Sequence, residues 1–304
     1  MSTCIVTGGA GFIGSNLVRE LVKNKNRVIV VDNLSTGSRE NLKGVDVLFA
    51  NIPCSRIEEI ALYRVSKPNI IFHLGIPSSS PLYRSNRRLV SSAINDFIKI
   101  MELARMSNAR VVYASSSSIY RGCKKPYRED MIPRPFDFYT EARLSMERLA
   151  SVYYQLYGIT SIGLRLFSVY GPYELAKGRF ANVITQMLLN EEFTIYGDGS
   201  QTRDFTYITD VVRAFILASE IDLEGALILN VGTGRETSFR EIAEIIQKIK
   251  PLRVKYSPNP IKNYVQETLA DISLIKKTLD WKPEIRLENG VDMTWNWIKS
   301  TNRI

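Results

Sequence analysis

Tyr139 and Arg143 lie four residues apart in a stretch, 139–157, whose apolar spacing predicts a long helix. Residues at that spacing share one helix face, so the phenol and the guanidinium point into one site. Upstream, an apolar strand-like run ends in Ala114-Ser115-Ser116-Ser117-Ser118-Ile119-Tyr120. A hydroxyl donor, a phenol and a nearby cation are what alcohol–ketone chemistry requires beside a nicotinamide. The phenol moves the proton and the nicotinamide moves the hydride.

The place for such a cofactor is Thr7-Gly8-Gly9-Ala10-Gly11-Phe12-Ile13-Gly14, between a predicted strand and a predicted helix. It satisfies G-x-G-x-x-G through Gly9, Gly11 and Gly14, and G-x-x-G-x-x-G through Gly8, Gly11 and Gly14. Glycines there permit a tight turn and a close approach of backbone to a pyrophosphate, which the helix N-terminus then attracts. Asp32 ends the second predicted strand. An acid at that point accepts hydrogen bonds from the adenosine ribose and repels a 2′-phosphate, so NAD is the expected cofactor.

These residues need a scaffold, and the periodicity supplies one. Residues 4–6, 27–31, 45–50, 70–74, 110–114 and 162–167 read as short apolar strands, with helices over 16–23, 89–106 and 139–157 between them. Near-continuous apolar strands alternating with helices predict a parallel sheet covered on both faces, a doubly wound α/β (Rossmann) fold. After Gly171-Pro172 the rhythm changes: helices over 182–189, 211–220 and 239–249, a strand-like 204–207, and a returning seventh strand at 226–231. The expected organisation is an NAD-binding domain of residues 1–170 plus about 207–231. A smaller discontinuous α/β substrate domain takes about 171–206 plus 232–304, with a cleft between the two.

Composition removes other chemistries. The chain has 304 residues, three cysteines without C-x-x-C spacing and one histidine, His73. A disulfide framework, a cysteine zinc site and most histidine-based chemistry are thereby disfavoured, and no metal is expected. The net charge of +9 comes from 40 basic and 31 acidic residues scattered along the chain, so nucleic-acid binding is not expected. Without a long apolar run or a signal-peptide pattern, the expectation is a cytoplasmic protein without a membrane span.

In these motifs the chain resembles the extended short-chain dehydrogenase/reductase family, in particular its sugar-nucleotide epimerase and dehydratase branch, to which UDP-glucose 4-epimerase belongs. Further marks are Phe72-His73-Leu74, Leu164-Arg165 through Tyr170-Gly171-Pro172, Ile195-Tyr196-Gly197-Asp198-Gly199, Gln201-Thr202-Arg203-Asp204-Phe205, Asn230-Val231-Gly232-Thr233-Gly234 and Leu279-Asp280-Trp281-Lys282-Pro283. The resemblance implies that Ser116, four before Tyr120, is the catalytic hydroxyl and Tyr139 the catalytic tyrosine; both then touch the substrate. Arg143 falls where the family has lysine. Gly8, Gly11, Phe12, Ile13, Asp32, Asn33, Asn51 and Ile52 match cofactor positions, with Tyr139 and Arg143 beside the nicotinamide. Asn51 replaces an aspartate next to the adenine. Arg203 matches a residue that grips the sugar nucleotide's diphosphate, and His73 is expected as a packed or capping residue. Other departures are Ala93 and Ser168 for asparagines, and no second phosphate-binding arginine near Lys262.

The activity implied is epimerisation of a nucleotide-diphospho-sugar, a UDP-sugar first, through a 4-keto intermediate, by a homodimer. A dehydratase of this family carries Thr-Asp-Glu where Ser116-Ser117-Ser118 stands, so its acid–base carboxylates are missing. Reduction or decarboxylation of a sugar nucleotide, and cofactor binding without turnover, are the alternatives.

Overall fold

The computed structural model describes residues 2–59, 67–260 and 264–301. Strands β1 (Thr3–Thr7), β2 (Arg27–Val31), β3 (Leu48–Ala50), β4 (Ile70–His73), β5 (Arg110–Ser116) and β6 (Ser161–Leu166) occupy the first half. The second half adds β7 (Val169–Tyr170), β8 (Glu192–Tyr196), β9 (Thr202–Arg203), β10 (Thr206–Tyr207), β11 (Ala226–Val231), β12 (Thr237–Ser238) and β13 (Arg253–Ser257). Seven of these form one parallel sheet in the order β11-β6-β5-β4-β1-β2-β3. The order reverses between β1 and β4, and in open α/β sheets the ligand crevice opens outside the strand ends at that switch.

Alternation along β1 shows how both faces are covered. Cys4 and Val6 pack on one side with Leu17 and Val18, and Ile5 on the other with Phe97 and Met101. The register Thr7↔Val31 and Thr7↔His73 brings the carboxyl ends of β1, β2 and β4 level, so the loops leaving these strands meet at one rim. The helix Phe138–Tyr157 has defined ends. Asp137 and Thr140 form a reciprocal capping box, and Gly158 closes it at φ 68°. Asp137 also accepts a 2.5 Å hydrogen bond from Ser80 Oγ, which ties the helix start to the segment after β4.

Element boundaries depart from the sequence reading in informative ways. The first helix runs Phe12–Lys23, four residues earlier than expected, because Gly11 serves as its N-cap and Phe12 joins the buried face. The third strand is three residues long, not six. The chain leaves a turn at Gly44 (φ 75°), and only Leu48, Phe49 and Ala50 reach β2. The strand-like 204–207 is broken between β9 and β10, since the Asp204 carboxylate accepts from the Thr233, Gly234 and Ala270 N–H groups. The parallel pair β8–β13 and the helices Ser80–Ser85, Ser273–Leu279 and Leu287–Ser300 have no counterpart in the sequence reading. Lys262 lies outside the described residues. No described helix is long and apolar enough to cross a membrane.

Candidate active site

β1 runs into the glycine loop at the sheet's switch point. Gly8 takes φ 67°, and a Cβ there would stand 2.7 Å from the Leu74 carbonyl and the Gly75 nitrogen. At Gly14 a Cβ would come within 2.1 Å of Gly8 O, so only glycine lets the helix lie against the loop. The helix then opens with no side-chain cap and no acid in its first turn, so no side chain satisfies its first N–H groups. Gly8, Gly11, Phe12, Ile13, Asp32 and Asn33 all line one cavity of about 650 Å³ there.

Asp32 is 7% exposed, with Oδ2 accepting from Ala10 N at 2.9 Å and Oδ1 from Leu34 N at 2.7 Å. Burial pushes its carboxyl above the ordinary aspartate range, against the pull of those two bonds. The pairing ties the glycine loop to the end of β2 while placing a negative charge on the cavity wall. Asp96, from the helix Leu89–Ser107, lines the same cavity, and burial lifts its carboxyl to about 6. A glycine cradle that a Cβ would fill, open helix N–H groups and an acid at the end of β2 fit a dinucleotide.

Ser116, Tyr139 and Arg143 line the other part of this cavity. The serine run resolves into distinct environments. Ser115 also lines the cavity, but its Oγ donates to Glu147 Oε1 at 2.5 Å. Ser116 Oγ accepts from Ser118 N at 3.2 Å and faces the cavity. Glu147 is also gripped by both arms of Arg165, at 3.0 and 2.7 Å, and Arg165 Nη1 donates to Tyr120 OH at 2.6 Å. This buried network pins β5, β6 and the helix Phe138–Tyr157 around Ser116.

Tyr139 packs edge-on against Tyr83, with ring centroids 5.5 Å apart. Beneath it, the Arg143 guanidinium lies 5.0 Å from the Tyr139 ring centroid. Arg143 is 3% exposed and donates from Nη1 to Ala114 O at 2.9 Å and from Nη2 to Pro77 O at 3.3 Å. Its Nε is buried without a partner among the described residues. His73 is fully buried: its Nδ1 shares a 2.8 Å hydrogen bond with Thr7 Oγ1, and Phe97 packs on its ring. Burial, then the Arg143 charge, drives the imidazole down to about 3, so it is neutral.

Three expected site residues stand apart. Asn51 and Ile52 come directly after β3 but do not line the cavity; Pro53, Cys54 and Ser55, just beyond them, do. Arg203 also lies outside its lining. Its guanidinium sits between the Phe239 and Tyr264 rings and donates to Thr202 O and Val265 O, and burial lowers its proton affinity. Lining residues absent from the sequence reading include Cys54, Asp96 and Lys177. Lys177 carries no motif of its own that would have marked it.

A seven-stranded parallel sheet with a glycine loop at its switch point and an acid after β2 is the NAD-binding fold of the extended short-chain dehydrogenase/reductase type. Residues 4–232 match the family model described as the NAD dependent epimerase/dehydratase family, and the chain belongs to that family. The UDP-glucuronate 4-epimerase of Thermodesulfobacterium geofontis is 32% identical, covering 98% of this chain and 97% of its own. UDP-glucuronic acid decarboxylase 1 of Arabidopsis thaliana is also 32% identical, over 94% of this chain and 67% of its own. Among solved structures, the UDP-N-acetylglucosamine 4-epimerase from Methanobrevibacter ruminantium, in complex with UDP-N-acetylmuramic acid, superposes with TM-score 0.91 at 29% identity. That match covers 99% of each chain. MoeE5, solved with UDP-glucuronic acid and NAD, gives TM-score 0.86 at 30% identity over 98% of this chain and 99% of its own.

Proposed function

We propose that this chain is an NAD-dependent epimerase acting at C4 of a nucleotide-diphospho-sugar, with UDP-sugars as its substrate class. The observation that carries the reading is that Ser116, Tyr139 and Arg143 share one cavity with the glycine loop and Asp32. When bound, NAD supplies the hydride acceptor and donor. Tyr139, acting as the phenolate, takes the proton of the C4 hydroxyl as the hydride leaves C4 and returns it as the hydride comes back, while Ser116 holds the same oxygen by a hydrogen bond. Arg143 keeps a permanent positive charge beside the phenol. Between the two half-reactions the 4-keto sugar presents its opposite face, which inverts C4. Arg203 grips the sugar nucleotide's diphosphate in this reading, supported by its matched place in the Gln201–Phe205 segment.

The decarboxylase relatives support a second reading, in which a 4-keto uronic acid loses carbon dioxide instead of being reduced on its other face. One experiment separates the two. Incubation with UDP-, GDP- and dTDP-sugars, UDP-glucuronate included, is followed by chromatography and trapping of released carbon dioxide. C4 epimer pairs support the epimerase; a pentose product with carbon dioxide supports the decarboxylase. No product from any sugar, with cofactor bound, leaves a binder without turnover. We place the enzyme in the cytoplasm, where Cys4, Cys54 and Cys123 stay as free thiols. We also infer a homodimer, supported by exposed Met106, Val152, Leu156 and Tyr157 on the helices Leu89–Ser107 and Phe138–Tyr157.

A further inference from the structure

The segment 172–180, between β7 and the helix Val183–Leu189, crosses the start of the cofactor helix Phe12–Lys23. Asn16 Nδ2 donates to Pro172 O at 3.0 Å, and the Arg19 guanidinium lies 4.6 Å over the Tyr173 ring. Lys177 completes the strap, with Nζ 5.5 Å from the Phe12 ring centroid. Its side chain lines the cofactor cavity together with Gly11, Phe12 and Ile13.

The lysine is held from behind. Nζ donates to Glu174 Oε1 at 2.9 Å, and the Glu174 carboxylate is fully buried. That carboxylate also accepts from Asn182 N at 2.8 Å and from Thr185 Oγ1 at 2.5 Å, so it is locked in place. An ammonium carries three donors. Glu174 takes one, and no other acceptor among the described residues takes the remaining two. A fixed cation with spare donors, facing a cavity whose glycine loop carries no acid in the adjoining helix turn, fits an anionic group with several oxygens.

We propose that Lys177 binds the diphosphate of the cofactor, its ammonium bridging that group and Glu174. Cofactor binding thereby clamps the 172–180 strap onto the helix Phe12–Lys23. The inference rests on NAD occupying this cavity and is independent of which sugar is turned over.

The test is therefore a binding measurement. NAD, ADP-ribose and adenosine are titrated calorimetrically into cofactor-free wild type, Lys177→Met, Lys177→Gln and Lys177→Arg, at low and high salt. UDP is titrated into the NAD-loaded proteins. Both neutral variants are expected to weaken NAD and ADP-ribose about tenfold and to flatten the salt dependence, with adenosine and UDP unchanged. Lys177→Arg is expected to recover most of the loss. Wild-type NAD affinity in the neutral variants, or a loss confined to UDP, overturns the proposal. So does a loss of adenosine binding in both neutral variants, which would make Lys177 only a structural partner of Glu174.

Discussion

Asp32→Asn isolates what the acid after β2 contributes to cofactor choice, because it removes the charge and changes little in shape. In the wild type each carboxylate oxygen accepts one backbone N–H, from Ala10 and from Leu34, and keeps a lone pair for ribose hydroxyls. A 2′-phosphate would bring a second anion against that carboxylate. Two unit charges about 4 Å apart repel by about 4 kcal/mol at an effective dielectric near 20. Halving that for solvent at the cavity mouth leaves about 2 kcal/mol, a preference for NAD over NADP of roughly thirtyfold. In Asp32→Asn the repulsion vanishes, and the preference is expected to shrink by about tenfold or more. The variant also sets an amide N–H against one of the two backbone donors, which costs about 1–3 kcal/mol of stability. Calorimetric titration of both dinucleotides into wild type and variant reads the preference, and urea unfolding reads the stability. Equal wild-type affinities, or a ratio unmoved in the variant, would refute the placement of Asp32 against the ribose.

Tyr139→Phe is expected to lower turnover by roughly 10²–10⁴-fold with NAD still bound, read by steady-state assay beside calorimetry; wild-type turnover would remove Tyr139 from the proton path. Arg143→Lys keeps the charge but cannot reach both Ala114 O and Pro77 O with a planar fork, so activity should persist and stability fall by about 1–3 kcal/mol in urea unfolding. His73 titrates near 6.5 when unfolded and near 3 when folded, so between those values only the unfolded chain takes up its proton. Its contribution to stability is complete above about pH 6.5 and drains by at most about 1.4 kcal/mol per pH unit as pH falls toward 3. Unfolding free energies of wild type and His73→Asn from pH 6.5 to 4.5 should therefore differ in slope, and parallel slopes would contradict a neutral buried ring.

The parts of this molecule governed by local rules were legible in its sequence. Six of the seven sheet strands fall within two residues of their expected ends, because runs such as Arg27–Val31 and Ala226–Val231 are long, apolar and bounded by turns. The glycine loop, Asp32, Tyr139 and Arg143 converge on one cavity because each comes after a strand or sits at a helix spacing that topology then aligns. What stayed hidden depends on contacts between distant segments. Nothing local marks Asp204 as the carboxylate that gathers Thr233, Gly234 and Ala270 and so interrupts a strand. The β8–β13 pairing joins residues about 60 apart, and Lys177 becomes a cavity residue only because its strap lies over Phe12.

Long-range contacts also bear on two points that the motif alone leaves open. Within Ser115-Ser116-Ser117-Ser118 every residue offers the same hydroxyl, and only the family resemblance, through the spacing to Tyr120, points to Ser116. Ser115 and Ser116 both line the cavity, but Ser115 Oγ is engaged with Glu147, which Arg165 already grips, and this favours Ser116 as the hydroxyl of the proposed reaction. At position 143 the role proposed beside the phenol asks only for a charge, which a lysine would also supply. The arginine, however, also bridges the carbonyl of Ala114, one residue before the serine run, and that of Pro77, on the loop after β4. One side chain thus fixes the strand end that presents Ser116 relative to the helix that presents Tyr139. The departure from lysine thus adds a structural tie to the charge, which is why Arg143→Lys is expected to cost stability while leaving activity in place.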